Sequence, residues 1–176
     1  MKLGLKILLL GLCFPACMSA YLKSVGGDGE QVFSKVYVGD FNLAWESAVE
    51  ALKTSPMEVV NRENGSLQTK WIENTAERNL IDSAGSVNLY LKAQYRFRIV
   101  LAKGVYGGQP SVRVSVQKEQ QIQRDVLEGW IQQTTDGLQE NSLLYRVGKV
   151  MEFKTRLQEI EARKLKRQLE EAKEKN

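Results

Sequence analysis

Histidine is absent from all 176 residues, and with it go the commonest general base and the commonest metal ligand. Cysteine is nearly absent. Cys13 and Cys17 are the two in the chain, and both stand within the first seventeen residues. If the chain is cut before Cys17, as argued below, the folded part has no thiol nucleophile, no tetrahedral zinc site and no disulfide. No glycine-rich phosphate loop occurs either. Gly26-Gly27-Asp28-Gly29 precedes a strand, lacks the Lys-Ser/Thr that would have to follow, and reads as linker. Carboxylate-only catalysis needs two Asp or Glu facing one cleft. Glu58, Glu73, Asp82 and Asp125 are scattered among polar neighbours and read as solvated surface. An enzyme is not expected, and no cofactor or metal is implied.

The start of the chain is informative. Met1 is followed by Lys2 and Lys6, an apolar run from Ile7 to Phe14, and then Phe14-Pro15-Ala16-Cys17. A basic segment, a hydrophobic stretch too short to span a bilayer and a small residue before a cysteine describe a lipoprotein signal peptide over residues 1–16. Phe14 and Pro15 depart from the usual pattern. The alternative is an ordinary signal peptide cut near Ser19 or Ala20, with Cys17 incidental. The expectation is lipidation at Cys17, a flexible glycine-containing tether over residues 17–31, and one domain after it. Met18 is not the aspartate associated with inner-membrane retention, so the expected location is the periplasm-facing outer membrane. Without a disulfide the domain must rely on its core, and at about 160 residues it can bury roughly 70% of its unfolded surface.

Charge says little about partners. The chain has 25 Lys and Arg against 21 Asp and Glu, a net of +4, and removing Lys2 and Lys6 leaves 23 against 21. A domain so near neutrality gives no reason to expect nucleic acid.

Val32 to Val38 alternates and reads as a strand, with Val32, Val36 and Val38 on one face and Phe33, Lys35 and Tyr37 on the other. Asp40 offers an N-cap to a helix reaching about Ser55, with the stripe Phe41, Ala44, Trp45, Ala48, Val49 and Leu52. Met57 to Asn61 and Ser66 to Ile72 flank Glu63-Asn64-Gly65, a hairpin signal that puts Trp71 on the face of Leu67. Ile72 to Ser86 is polar and reads as a loop with room for a short helix. Leu89 to Leu101 is the clearest strand, with Arg96 and Arg98 outward, candidates for an anion or partner patch. Lys103 to Pro110 reads as a loop, and Ser111 to Gln117 returns as a strand with Val112, Val114 and Val116 inward. Glu119 to Gln133 reads as a polar excursion. Its Trp130 either packs on the body or joins Ile131 in an exposed contact site. A long helix starts near Leu138. Leu144, Val147, Val150, Met151, Phe153, Leu157 and Ile160 are expected to pack in the core, so that the domain covers residues 32–162. A charged helical extension is expected over residues 163–176.

This order of elements describes an α+β fold, a curved antiparallel sheet gripping a long C-terminal helix, the helix-grip arrangement. Tyr37 to Leu52, Val59 to Ile72, Tyr95 to Leu101 and Ser111 to Val116 resemble the corresponding helix, hairpin and strands of BamC-type lipoproteins. The similarity covers about Phe33 to Phe153. It implies helix-grip architecture and a lipoprotein accessory of the Gram-negative β-barrel assembly machinery. Members of that family carry two such domains and a long N-terminal segment, whereas this chain has one domain and a short tether. The leading expectation is a non-enzymatic outer-membrane lipoprotein that binds envelope proteins. The alternative is a periplasmic carrier or sensor of an apolar small molecule, with Trp45, Trp71, Tyr95 and Phe97 as lining. A third reading has the tail from Arg163 to Lys175 bind anionic headgroups or cell-wall polymer, against the interleaved glutamates.

Overall fold

The computed structural model describes residues 31–82 and 90–174; the leader, Cys17 and the tether lie outside them. Along the described residues run β1 (Val32–Val38), α1 (Phe41–Ala51), β2 (Met57–Asn61), β3 (Ser66–Thr69), β4 (Ile72–Glu73), α2 (Thr75–Asp82), β5 (Lys92–Tyr106), β6 (Gln109–Gln123), β7 (Ile131–Gln133) and α3 (Leu138–Glu174). The strands form one antiparallel sheet ordered β1-β6-β5-β3-β2, with β4 on β5 and β7 on β6. Helices α1 and α3 pack on each other and on β5, β6 and β1. The fold is α+β and of helix-grip type.

The spine is the β5–β6 hairpin, fifteen residues on each side. Its turn is Gly107-Gly108, both at positive φ (59° and 77°), the conformation that matches the right-handed twist of the strands. The loop expected from Lys103 to Pro110 is therefore two residues long. Side chains there are exposed on both faces, so the alternation fades while the backbone ladder continues to Tyr106 opposite Gln109. The polar excursion expected from Glu119 is, for its first five residues, the continuation of β6.

Asp40 caps α1 as expected, its Oδ1 accepting from the Leu43 amide at 2.9 Å. The helix buries Leu43, Ala44, Trp45, Ser47, Ala48 and Ala51, with Leu52 just beyond it, whereas Val49 is exposed. Opposite lie Leu67, Phe97, Ile99, Leu101, Val112, Val114 and Val116, and Leu143, Leu144, Val147 and Met151 of α3 complete the core. Each large aliphatic side chain so buried contributes about 1.5–3 kcal/mol.

On β1 the aromatic face turns inward and Val32, Val36 and Val38 turn to solvent. Phe33 packs over Gly137 and Tyr37 over Gly148, where an added Cβ would come within 2.3 Å and 2.8 Å of the rings. The Tyr37 hydroxyl donates to the Leu144 carbonyl, tying the edge strand to α3. Burial pushes the Tyr37 hydroxyl up to about 12, above its ordinary value near 10. Because the folded-state value is raised, its stabilisation is complete below pH 10 and is lost as pH rises from 10 to 12. With solvent screening at this half-buried site the loss is on the order of 1–2 kcal/mol. Chemical denaturation of wild type and Tyr37→Phe across that range is expected to show the pH-dependent loss in wild type and a shallower one in the variant.

Burial along α3 ends at Met151. Phe153, Leu157 and Ile160, expected in the core, are 62%, 41% and 46% exposed. The last ion pair between α3 and α1 is Lys154–Glu46 at 3.0 Å. At 1.5 Å per residue the helix then projects about 30 Å.

Candidate interaction surface

Among the described residues no helix covers the outer face of the β5–β6 hairpin, and its centre is a charged network. Arg96 and Glu119 stand opposite each other across the ladder. The Arg96 Nε and Nη2 both lie 2.7 Å from Glu119 Oε2. Arg98 Nη2 stands 3.0 Å from Glu119 Oε1, as an ion pair without a directed hydrogen bond. Arg98 Nε donates to Gln68, and Gln68 in turn donates to Glu58. Glu58 also faces Arg96 at 3.7 Å. The two arginines thus meet two carboxylates, and the face carries no local excess of positive charge for a free anion. Sequence reading found Arg96 and Arg98 and missed Glu119. Placing the turn at Gly107-Gly108 would have set Glu119 directly opposite Arg96.

Trp71 joins this face: the Arg96 guanidinium lies 4.6 Å from its ring centroid, a stacking worth about 0.5–2 kcal/mol. That overturns the expectation that Trp71 shares the face of Leu67. Gln68 pairs with Arg98 and Ile72 with Tyr95, four steps along one chain against three along the other. One extra residue makes a bulge, and a one-residue slip exchanges faces. Inside the bulge the Thr69 hydroxyl accepts from the Phe97 amide at 3.0 Å, replacing the interrupted ladder bond.

Trp130 and Ile131 stand elsewhere, at the end of the sheet where Ile131 pairs with Ile122. They are 43% and 38% exposed, and with Val126 and Leu127 (74% and 93%) they give the β6–β7 connection four exposed apolar side chains within six residues. Of the two readings open for Trp130, the structure has the exposed one. A single apolar surface residue needs no explanation; four so close in sequence make this connection a candidate contact site. A second cluster is the α3 seam of Val150, Phe153, Leu157 and Ile160, spaced three, four and three, with Val150 part-buried and the other three exposed.

Of the aromatic residues proposed to line an apolar cavity, three meet in the packed core and the fourth stands apart from them. Trp45 and Phe97 are buried in the packed core, Tyr95 lies edge-on to Phe97, and Trp71 is on the opposite face of the sheet. Among the described residues no three His, Cys, Asp or Glu side chains gather as a metal site, and no helix is long and apolar enough to cross a membrane. No protein-family model matches the chain, and no curated protein matches it.

Proposed function

We propose that this is a non-enzymatic lipoprotein of the Gram-negative outer membrane, anchored through Cys17, whose domain binds envelope proteins in the service of β-barrel assembly. The observation that carries the reading is the exposed apolar cluster Val126, Leu127, Trp130 and Ile131 on a hairpin braced by the sheet. Trp is the residue type most over-represented among binding hot spots. Further support comes from the projecting seam of α3, from the leader ending in Ala16-Cys17 and from the similarity of pattern to BamC-type lipoproteins. A 30 Å arm and a rigid hairpin give two contact points on a protein tethered beside its partners. Tethering raises their effective concentration, so each contact can be weak.

Fractionation and intact-mass analysis of wild type and Cys17→Ala test the anchor. Wild type is expected in the outer membrane with a diacylglyceryl mass at its N-terminus, and the variant soluble in the periplasm. Two soluble proteins cut near Ala20 would overturn the anchored reading.

A further inference from the structure

An open sheet edge is a liability that proteins blunt with short strands, bulges, proline or charge. Three edges here are blunted: β4 is two residues long, β7 is three, and β2 carries a register shift between Met57 and Val59. β1 is not. It pairs with β6 in unbroken register over seven residues and contains neither proline nor glycine. Among the described residues no strand takes its other edge. In an antiparallel pair about half of the amides and carbonyls of the outer strand point away from its neighbour. Beside that edge of β1 lies a cleft of about 410 Å³, lined on its other side by Gly148, Met151, Glu152 and Thr155 of α3. Tyr37 and Val38 both line it although successive side chains of a strand point to opposite faces, so the cleft meets β1 along its backbone.

We infer that this cleft takes an extended segment of another protein as an added edge strand on β1, and that the segment alternates apolar and polar side chains as a transmembrane β-strand does. Main-chain hydrogen bonds to the open edge supply the affinity, and alternate side chains the selectivity. The apolar side chains of the guest extend the outer row of Val32, Val36 and Val38, which are 58%, 42% and 55% exposed. Its polar side chains turn to the face shared by Lys35, Tyr37 and α3. Charge on that face favours an acidic guest. Lys35, the middle residue of β1, is exposed over the Tyr37 ring and forms no ion pair. Across the cleft Glu152 is already paired with Lys149 and Arg156, and Glu159 with Arg163. A second copy fits less well. Two β1 strands in full antiparallel register set Lys35 against Lys35, and like charges directly opposite destabilise a pair. The inference deepens the barrel-assembly reading and rests on it for the source of the strand.

The full chain in detergent micelles, titrated with a fluorescent nonapeptide of sequence Thr-Val-Thr-Val-Asp-Val-Thr-Val-Thr and followed by polarisation against empty micelles, tests it. Saturable binding is expected. Methylating every second amide nitrogen of the peptide is expected to weaken binding at least about tenfold in one phase and little in the other, because only one set of amides faces β1. Exchanging the aspartate for lysine is expected to weaken it a few-fold, and Lys35→Glu to reverse that preference. Thr155→Trp fills the cleft from a part-buried position beyond the core, and is expected to weaken binding at least about tenfold with the thermal midpoint unchanged. Amide exchange of the free protein separates the other occupants. Protection of the outward β1 amides without peptide assigns the edge to the chain's own preceding residues, or to a second copy if it grows with concentration, and either overturns the inference. No saturable binding, equal binding of the two methylated peptides, or full binding by Thr155→Trp would overturn it as well. The titration reports on the cleft alone, so its failure is distinct from a failure of the anchor, which fractionation of Cys17→Ala reads.

Discussion

Gly65→Ala is expected to cost at least about 3 kcal/mol, among the largest effects a single methyl can have in this fold. Gly65 closes the β2–β3 turn at φ +63°, where a side chain costs about 1–2 kcal/mol. The larger part is steric. A Cβ at this position would lie 2.3 Å from the Leu101 carbonyl oxygen, a backbone atom of the central strand that cannot swing aside. Relieving the contact means pulling the hairpin off β5, which breaks the 2.8 Å bond from the Leu101 amide to the Gly65 carbonyl and uncovers Leu67, fully buried beneath it. Gly129→Ala is the control, since it shares the positive φ (71°) but has nothing within 4 Å of the added carbon. Urea denaturation is expected to place the control about 1 kcal/mol below wild type and Gly65→Ala at least about 2 kcal/mol further down. Equal losses would show that the close approach to Leu101 is not maintained in solution.

Val147→Asp is expected to unfold the domain, and Leu157→Asp to leave its stability within about 0.5 kcal/mol. The two valine and leucine positions lie ten residues apart on one helix, and both are apolar. Val147 is 1% exposed and packed among Tyr37, Leu144 and the sheet, so a carboxylate there must be desolvated or drive the helix off, at a cost of about 4 kcal/mol or more. Leu157 is 41% exposed on the projecting arm and touches no core residue that the change would uncover. Thermal melts followed by circular dichroism separate the two outcomes. A large loss for Leu157→Asp would mean that the arm folds back onto the domain.

This contrast also shows where the sequence can mislead. Leu143, Leu144, Val147 and Met151 keep helical spacing on one face. Met151 to Phe153 is a step of two, which at about 100° per residue swings the side chain to the far side of the helix. Phe153, Leu157 and Ile160 are therefore a second stripe rather than the continuation of the first, and a list of apolar residues joined by threes and fours hides the switch. Trp71 was misplaced for a similar reason: a single-residue bulge leaves no mark in an alternating pattern, yet it inverts every side chain after it. The hairpin from Lys92 to Gln123 was only half visible: at the turn end glycine and polar residues stand exposed on both faces, and at the other end polar side chains such as Gln120 fill buried positions, so the pattern carries no information about pairing. Where burial does shape the pattern, the reading holds. The Asp40 cap, the inward valines of β6, the outward arginines of β5 and the long final helix stand as the sequence indicates. A polar cleft between the start of α2 and the β7–α3 connection was not legible at all. Asn74, the neighbours Lys118 and Gln120, and Asp136 come from three separate stretches of chain, each of which reads as ordinary surface until the topology brings them to one cleft.

The hairpin and the arm are proposed as the contact sites of a membrane-anchored protein. Site-specific photocrosslinking in intact cells tests this most directly, with the photoreactive residue placed at Leu127, at Leu157 and, as a control, at Tyr106 on the opposite turn, itself 67% exposed. Discrete adducts with envelope proteins are expected at positions 127 and 157, absent at 106, and lost in the Cys17→Ala background. No adduct at 127 or 157, or the same adducts at all three positions, would contradict it.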